Sequence, residues 1–194
     1  WTFNDGNGNV ETATQKVIIK DTQKPIITCP SAVVVSANAN SCVATGVNLG
    51  TPTTSDNCSG AVTVTNNAPA AFPIGSTTVT WTVTDLAGNS ASCTQLVTVE
   101  DNEAPTITCP ANVTVDTDFN LCVASGVALG TPVTSDNCAV ASVVNNAPLL
   151  FPLGTTTVTW TVTDAAGNAS TCTQTVTVED NQAPTVVCPQ NIVL

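Results

Sequence analysis

A short stretch with acid and amide side chains occurs three times along the chain, each time just before a proline and a Cys-Pro pair. The stretch VEDNEAPTITCP at 99–110 returns as VEDNQAPTVVCP from Val178 and, in a looser form, as IKDTQKPIITCP from Ile19. Carboxylate and amide oxygens are hard ligands of the kind that Ca²⁺ binds, about six to eight at a time. The repeated stretch therefore predicts a cation site wherever the fold brings further oxygens close to it.

The charged residues of the chain are few and almost all acidic. They make up 9% of the sequence, the formal net charge is −11, and the basic residues are Lys16, Lys20 and Lys24. A chain with no Arg and no base after Lys24 cannot neutralise a row of phosphates, so nucleic acid and anionic membrane surfaces are poor partners. The sequence has no long apolar run, so we expect no membrane insertion of this segment.

Catalysis is not expected from this set of side chains. The chain has no histidine, which is the commonest general base. No serine or threonine is accompanied by a visible base that would activate it. The nine cysteines at recurring spacings are typical of disulfides formed in an oxidising compartment. We therefore expect a secreted protein that is not an enzyme.

The cysteines reveal an internal repeat. Cys29 returns as Cys109 80 residues later, and Cys93 returns as Cys172 79 residues later. Self-similarity at a fixed spacing is the signature of a tandem array. The predicted segments are 1–21, the C-terminal part of a preceding repeat; 22–101 and 102–180, two full repeats; and 181–194, the first strand of a following repeat. The lack of a signal peptide agrees with a piece of a longer array.

Apolar and polar residues alternate with a period of two inside each repeat, which predicts an all-β fold. Val79, Trp81 and Val83 alternate with threonines, so one face of that strand enters a core. Prolines and glycines interrupt the runs about every 8–12 residues, as expected of tandem immunoglobulin-like or fibronectin-III-like β-sandwiches, with about 80 residues per repeat. In the second full repeat the predicted strands are 106–109, 112–116, 123–129, 140–144, 149–151, 156–163 and 170–178.

Several spaced motifs resemble one known family. APTITCP, SDNC, a TTVTWTVTDLAGN segment preceded by FPIG, and SCTQLVTVED are similar to the hyalin repeat (HYR) domain, an immunoglobulin-like module, and the resemblance covers both full repeats and both partial ones. The resemblance implies a tandem module of extracellular and cell-surface proteins, including long bacterial adhesins, with an adhesive or structural role. The partners it implies are neighbouring repeats, like chains, a cell-surface glycan or a solid surface.

Strand topology indicates how the first and last strands of each repeat are joined. In a tandem array these two strands run the same way and can lie side by side, and their cysteines share the parity of the inward residues. We therefore predict the bonds Cys29–Cys93 and Cys109–Cys172. Hyalin repeats with only two cysteines look similar, because they keep these two positions.

The other cysteines leave two schemes open. The within-repeat bonds Cys42–Cys58 and Cys122–Cys138 are favoured, but they require the chain to double back, because the strand between the two cysteines spans about 23 Å. The other scheme is a Cys42–Cys138 bond that crosses the junction between the repeats. Both schemes leave Cys188 without a partner in this sequence.

The predicted topology brings the linker, the loop before the third strand and the last turn to one pole of each repeat. The second junction then offers the candidate calcium ligands Asp101, Asn102, Glu103, Asp136, Asn137, Asp164 and Asn168. The first junction offers Asp21, Asp56, Asn57, Asp85 and Asn89, and a third site is expected to begin at Asp180 and Asn181. The first site is expected to be the weaker, because Thr22 and Lys24 stand where the second has Asn102 and Ala104. The other interpretation is that these residues only form ordinary turns.

Two functions follow from this arrangement. The favoured one is a structural or adhesive segment of a secreted, bacterial-type cell-surface protein, forming a stalk or filament stiffened by disulfides and by calcium between repeats. The alternative is a module that binds glycan, ice or another surface through its loops or through a threonine-rich strand face. Its residues would be Thr78, Thr80, Thr82, Thr84, Thr94 and Thr98.

Overall fold

A computed structural model of the chain describes residues 1–58 and 60–189, and within these ranges the secondary structure is entirely β. The strands are β1 (Thr2–Asn4), β2 (Val10–Thr12), β3 (Ile26–Thr28), β4 (Val33–Ser36), β5 (Val43–Thr45), β6 (Thr53–Ser55), β7 (Thr63–Asn66), β8 (Ala71–Pro73), β9 (Gly75–Thr84), β10 (Ser90–Glu100), β11 (Thr106–Thr108), β12 (Val113–Asp116), β13 (Val123–Ser125), β14 (Val133–Ser135), β15 (Val140–Asn145), β16 (Leu150–Pro152), β17 (Gly154–Asp164) and β18 (Ala169–Glu179).

The described chain divides into two compact units. Unit 1 comprises residues 1–33, 48–70 and 76–97, and unit 2 comprises residues 34–47, 71–75 and 98 onwards. The predicted repeat boundaries do not coincide with this division, because unit 2 contains two segments that precede residue 98.

Each full repeat contains one four-stranded sheet and two strand pairs. The sheets have the orders β4-β10-β9-β7 and β12-β18-β17-β15, and the pairs are β3-β6, β5-β8, β11-β14 and β13-β16. The first and last strands of the second repeat run parallel, with Val113 beside Val176 and Val115 beside Val178. Packing the sheet against the shorter strands gives the immunoglobulin-like sandwich that the sequence predicts.

The alternation of valine and threonine forms the core of unit 2. Val158, Val162 and Val176 are fully buried, and Trp160 is almost so. Val158, Trp160 and Val176 pack with Ala124, Phe151 and Val178. Threonines between them point to the opposite face, because successive side chains of a strand alternate.

A buried glutamine sits beside the tryptophan of each unit. The Trp160 indole N–H donates to Gln174 Oε1 at 3.0 Å, and Gln174 Nε2 donates to the carbonyls of Ala111 and Leu129 at 2.7 and 2.8 Å. Gln95 makes the corresponding bonds with Trp81, Ser31 and Leu49 in unit 1. Each amide therefore satisfies one indole and two backbone carbonyls that the core would otherwise leave unpaired.

Two disulfides join the first strand region of a repeat to its last strand. They are Cys29–Cys93 and Cys109–Cys172, with Cα–Cα distances of 5.8 and 5.7 Å. Each bond closes a loop of more than sixty residues, since the sequence separations are 64 and 63. A crosslink over such a loop typically stabilises a small domain by about 2–4 kcal/mol, chiefly by restricting the unfolded chain.

The favoured within-repeat bonds Cys42–Cys58 and Cys122–Cys138 are wrong. The structure instead joins Cys42 to Cys138, with a Cα–Cα distance of 5.0 Å and a sequence separation of 96. Cys58 and Cys122 are exposed free thiols. The chain between Cys122 and Cys138 passes through β13 and β14, which pair with β16 and β11 and not with each other, so it forms no hairpin that would return Cys138 to Cys122.

Several strand boundaries differ from the predicted ones for local reasons. The predicted strand at 123–129 ends at Ser125, because Gly126 and Gly130 have φ values of 60° and 79°, outside the extended region. Strands β6 and β14 lie in segments predicted as loops, where they pair with β3 and β11. Residues 181–189 form no strand, and 190–194 lie outside the described residues. The assignment of 181–194 to a following repeat stays a prediction.

Candidate metal centres and linker contacts

Acidic side chains gather at two places, one in each unit. Cluster one is Asp21, Asp56 and Asp85, whose carboxylate oxygens lie within 4.8 Å of one another. Cluster two is Asp101 and Asp136, whose oxygens lie within the same distance of each other and of Cys138 Sγ. Asp85 and Asp101 are buried, with exposures of 9% and 7%, so these carboxylates are not ordinary surface charges.

The loop aspartate of each cluster uses only one carboxylate oxygen in its turn. Asp136 Oδ2 accepts the N–H groups of Cys138 and Ala139, both at 2.9 Å, and Asp56 Oδ2 accepts the N–H of Cys58 at 3.1 Å. The second oxygen, Oδ1, is buried on both residues and has no hydrogen-bond partner among the described residues. The turn interpretation accounts for Oδ2 alone and leaves Oδ1 free for a cation.

Asn137 adds a third oxygen of this kind beside cluster two. Its Oδ1 is also buried without a partner among the described residues. Its Nδ2 donates to the Ser41 carbonyl at 3.2 Å and to Asp101 Oδ1 at 3.3 Å. The amide is thereby oriented with its nitrogen on the linker.

The last turn of each repeat holds an aspartate whose pKa is lowered. Burial raises the pKa of Asp164, but hydrogen bonds from the Asn168 side chain and from backbone N–H groups outweigh it and lower the pKa overall. Gly167 N–H donates to Asp164 Oδ1 at 2.7 Å, and Asn168 Nδ2 donates to Oδ2 at 2.8 Å. The pKa of Asp85 is lowered by the same balance, with Asn89 in place of Asn168.

The asparagine of each turn also holds the linker. Asn168 Nδ2 donates to the Asp101 carbonyl at 3.0 Å, and Asn89 Nδ2 donates to the Asp21 carbonyl at 3.4 Å. The structure therefore brings Asp164 and Asn168 to the linker through a backbone contact. Asp164 itself is not in cluster two, although the equivalent Asp85 is in cluster one.

The cysteine beside each cluster differs in chemistry. Cys138 Sγ is in a disulfide, so it is not a thiolate and does not supply an anionic ligand. Cys58 is a free thiol whose pKa is raised, first by a hydrogen bond to Asp21 and then by burial and by the surrounding carboxylates. The oxygen ligands therefore define both sites.

Other predicted ligands make different contacts. Asn102 Nδ2 donates to Ser36 Oγ at 2.9 Å, and Glu103 Oε2 accepts the N–H of Asn40 at 2.8 Å. Asn57 is exposed, with its Nδ2 3.4 Å from Cys58 Sγ. Asp180 belongs to neither acidic cluster, and Asn181 Nδ2 donates to Asp116 Oδ1 at 2.7 Å.

Sequence reasoning missed the residues that receive the linker. Asn40 and Asn120 have positive φ values of 57° and 61°, which turn their N–H groups towards the linker side chains. Asparagine tolerates this conformation better than most residues. The available signal was an asparagine two residues before a cysteine in both repeats, at Cys42 and Cys122.

The threonines predicted as a ligand face lie on the four-stranded sheet of the first repeat. Thr78 and Thr94 are exposed, whereas Thr80, Thr82 and Thr84 are half-buried. Thr82 pairs with Thr65, and Thr84 pairs with Thr63. Ligand binding by this face stays a prediction.

The carboxylate oxygens of each cluster are close enough to share one cation. Calcium–oxygen distances are about 2.3–2.6 Å, so two oxygens on opposite sides of one ion lie about 4.8 Å apart. All three carboxylates of cluster one meet this limit. A cleft of about 140 Å³ lies beside them, lined in part by Asp21, Asp56 and Asp85. Cluster two borders a cleft of about 240 Å³ that includes Asp101, Glu103 and Asn137.

Comparison with known families identifies the repeat. The HYR domain matches residues 20–99 and 100–178, which together make up most of the chain. The chain belongs to the HYR domain family. The two matched segments agree with the resemblance found in the sequence motifs, and unit 2 draws residues 34–47 and 71–75 from the first HYR domain.

Relatives of the HYR chain occur in animals. Hyalin of Lytechinus variegatus is 34% identical over 214 residues, which cover 100% of this chain and 39% of that protein. Hyalin of Strongylocentrotus purpuratus is 37% identical over 202 residues, covering 96% of this chain and 16% of that protein. A Rattus norvegicus protein with sushi, von Willebrand factor type A, EGF and pentraxin domains is 33% identical, covering 86% of this chain and 5% of its own length. The chain thus spans well under half of these relatives, and they give no support for a bacterial type.

Solved structures similar to the chain include cadherin repeats. Drosophila N-cadherin EC1-4 has a TM-score of 0.45 and 12% identity, with 81% of this chain and 50% of that chain covered. The protocadherin GammaB4 extracellular domain has a TM-score of 0.46 and 16% identity, with 91% and 37% covered. Among the described residues, no helix is long and apolar enough to cross a membrane.

Proposed function

We propose that this chain is a structural and adhesive segment of an extracellular protein, in which HYR domains follow one another at junctions fixed by disulfides and calcium. One observation carries the proposal. Unit 2 combines residues 34–47 of the first HYR domain with the linker and the second domain, and Cys42–Cys138 ties them covalently. Disulfides of this kind persist in oxidising surroundings, which supports an extracellular location.

The linker contacts support a junction with a defined geometry. Three successive linker residues make hydrogen bonds to neighbouring segments of unit 2. The pairs are Asp101 with Asn137, Asn102 with Ser36, and Glu103 with Asn40. Ordering a flexible linker costs roughly 1–2 kcal/mol per residue, so several bonds are needed to hold it in one conformation. The role of the junction is mechanical: it keeps one repeat at a fixed place relative to the next along the chain.

Calcium completes this function by neutralising the clustered acids. Carboxylates that share a site repel one another unless a cation compensates them. Lys20 and Lys24 flank Asp21 of cluster one in the sequence. No basic residue follows Lys24, so none is near cluster two in the sequence. The free Oδ1 atoms of Asp56 and Asp136 are suited to this cation.

Cluster one is proposed as the tighter calcium site. It brings three carboxylates within ligand distance, whereas cluster two brings two carboxylates and a disulfide sulfur. Calcium affinity rises with the number of charged ligands. The sequence predicts the opposite order of affinity, because Thr22 and Lys24 stand in the first linker where the second has Asn102 and Ala104.

Calorimetry with the full chain tests the calcium sites. Asp56→Asn should remove the tighter Ca²⁺ binding event, and Asp136→Asn should remove the weaker one. Glu11→Gln removes one exposed carboxylate from β2, away from both clusters, and should change neither event. Calcium at a hundredfold excess over its Kd should raise the free energy of unfolding by about 2.7 kcal/mol. No binding heat, together with an unchanged melting curve in EDTA, contradicts the calcium proposal.

Single-molecule stretching tests the mechanical role. A molecule pulled from its ends should yield at a higher force than a Cys42→Ser/Cys138→Ser variant, because the bond ties the two HYR domains in parallel with the linker. The released length should be the same in both, because Cys42 and Cys138 lie inside the loops closed by Cys29–Cys93 and Cys109–Cys172. Calcium should raise the force at which the folded chain yields. Equal unfolding forces for the two proteins would show that the Cys42–Cys138 bond does not bear load. Equal unfolding forces with calcium and with EDTA would remove the mechanical role of the cation.

A further inference from the structure

The two free thiols occupy positions whose equivalents are already bonded. Cys122 corresponds to Cys42 in the repeat, and Cys58 corresponds to Cys138, as the matching SDNC motifs at 54–58 and 134–138 show. Cys42 and Cys138 are joined, whereas Cys58 and Cys122 are exposed thiols. The pair left over therefore consists of one cysteine of each type.

The segment that carries Cys122 is already arranged like the segment that carries Cys42. Glu103 accepts the N–H of Asn40 at 2.8 Å, and Gln182 accepts the N–H of Asn120 at the same distance. Asn102 donates to Ser36 in the first case. In the second case, Asn181 donates to Asp116. Gln182 Nε2 adds bonds to Thr117 Oγ1 at 3.0 Å and to the Asp118 carbonyl at 2.9 Å.

These contacts hold the chain that follows the second HYR domain on residues 116–120, just before Cys122, in the same way as the linker is held on residues 36–40, just before Cys42. The N–H of Thr117 bonds the Glu179 carbonyl at 2.9 Å, and the N–H of Ala37 bonds the Glu100 carbonyl at 2.8 Å. The segments before Cys42 and Cys122 thus share these backbone and side-chain contacts.

The loop that carries Cys58 is also formed in advance. Asp56 Oδ2 accepts the N–H of Cys58 at 3.1 Å, and Asp136 Oδ2 accepts the N–H of Cys138 at 2.9 Å. The same turn therefore presents a thiol in one repeat and a bonded sulfur in the other. Cys188 is a different case, because it corresponds to Cys29 and Cys109, whose bonds are made to the last strand of their own repeat.

We propose that Cys122 and Cys58 are the two halves of further inter-repeat disulfides. Cys122 bonds the Asp-Asn-Cys loop of an HYR repeat on its C-terminal side, and Cys58 bonds the Cys42-type cysteine of an HYR repeat on its N-terminal side. The inference rests on the proposed function, since it requires HYR repeats in series. Each repeat would then be joined to the next by one disulfide, in addition to the disulfide inside each repeat.

The bond forms by thiol–disulfide exchange with an oxidised small disulfide such as glutathione disulfide. The Cys122 thiolate attacks one sulfur of glutathione disulfide, forms a mixed disulfide and releases one glutathione thiolate. The loop cysteine of the neighbouring repeat then attacks the Cys122 sulfur and releases the second glutathione thiolate. Two protein thiols lose two protons and two electrons, and one glutathione disulfide becomes two glutathione molecules.

A tandem fusion tests the proposal with a junction of natural spacing. A second copy of the chain, beginning at Ile26, follows Pro184 of the first copy, because Pro25, Pro105 and Pro184 are equivalent. The protein is refolded with reduced and oxidised glutathione, alkylated without reduction and mapped by mass spectrometry. We expect a peptide that joins Cys122 of the first copy to Cys58 of the second. Cys122→Ser in the first copy should leave that Cys58 open to alkylation.

The Cys42–Cys138 bond is the control inside the same molecule. If Cys42 and Cys138 are joined while Cys122 and the second copy's Cys58 are alkylated as fully as in the single chain, the inference is overturned and the proposed function stands. If Cys42 and Cys138 are themselves alkylated, both the inference and the covalent junction of the proposed function fail. Homodimers joined through Cys122–Cys122 would also overturn the inference, because they need no Asp-Asn-Cys loop.

Discussion

Cluster one and cluster two are built from the same loop motif but differ in what covers the loop. Asp56 and Asp136 form the same turn with the cysteine two residues later. In unit 2, Ser41 and Cys42 lie against this loop, so that Asn137 and Cys138 are half-buried and Cys138 is bonded. In unit 1, Asn57 and Cys58 are exposed, and Cys58 stays a free thiol beside the Asp21 carboxylate, which raises its pKa.

The difference shows that the motif by itself does not decide the chemistry of its cysteine. Where the segment with Ser41 and Cys42 packs on the loop, the loop cysteine forms a disulfide and the loop asparagine contacts Asp101 of the linker. The number of clustered carboxylates differs as well. The uncovered loop of cluster one lies with three aspartates, whereas the covered loop of cluster two lies with two.

The largest effect should come from removing the bond at cluster two. Cys42→Ser/Cys138→Ser should lower the free energy of unfolding by about 2–5 kcal/mol, because the unfolded chain regains the freedom of a long closed loop. Denaturant unfolding monitored by tryptophan fluorescence measures the change. Cys58→Ser/Cys122→Ser is the matched control and should leave the stability within about 0.5 kcal/mol of the parent. Equal losses in both variants would contradict the difference between the clusters.

Replacing the loop asparagine should have the next largest effect on stability, and the effect should differ between the two clusters. Asn137→Ala removes the donor to the Ser41 carbonyl and to Asp101, and should cost about 1–2 kcal/mol of stability. Asn57→Ala at the equivalent exposed position should change stability by less than about 0.5 kcal/mol. Thermal or chemical unfolding of both variants in EDTA makes the comparison without a cation. A larger loss for Asn57→Ala would invert the comparison.

The thiol of cluster one should respond to its carboxylate. Asp21 raises the pKa of Cys58 by a hydrogen bond, so Asp21→Asn should lower that pKa and speed alkylation several-fold near pH 8. Cys122 in the same molecule is the internal control and should react at an unchanged rate, because it lies in unit 2. Rates are measured by mass spectrometry of quenched samples in EDTA. An unchanged Cys58 rate argues against the contact with Asp21.

The smallest difference should lie in the turns, which both units share. The folded-state pKa values of Asp85 and Asp164 are below the ordinary value of 3.8. Their ionised forms therefore favour the folded state above about pH 3.8, and this contribution is lost as the pH falls through the lower folded-state pKa. Asp164→Asn and Asp85→Asn should each flatten the stability profile in this acid range, by similar amounts. Unfolding curves between about pH 2 and pH 6 test this, and a profile as steep as the parent's contradicts it.

Much of the fold could be predicted because its pattern is local. The alternation in TVTWTVTD fixes which residues of β9 and β17 face the core, and the structure buries Val79, Val83, Val158 and Val162 accordingly. Strands β6 and β14 were missed because each has only three residues and depends on β3 or β11 for its hydrogen bonds. Such strands have no periodicity of their own to detect.

The candidate sites were only partly predictable. Asp101, Asp136 and Asn137 were identified from type and spacing, and the structure brings their side chains together. Glu103 has the same side-chain chemistry, but its carboxylate is used on the Asn40 backbone. The free Oδ1 of Asp136 was not visible in the sequence, because it depends on which oxygen the turn consumes.

The sequence by itself determined the repeat, the all-β class, the bonds Cys29–Cys93 and Cys109–Cys172 and the acidic character of the junctions. These depend on period, composition and the parity of strand residues, which are properties of short segments. The tertiary structure alone decided that Cys42 bonds Cys138 and that Cys58 and Cys122 stay free. The physical reason is that a disulfide forms only where packing brings two Cα atoms within about 7 Å, and here the two residues have a sequence separation of 96.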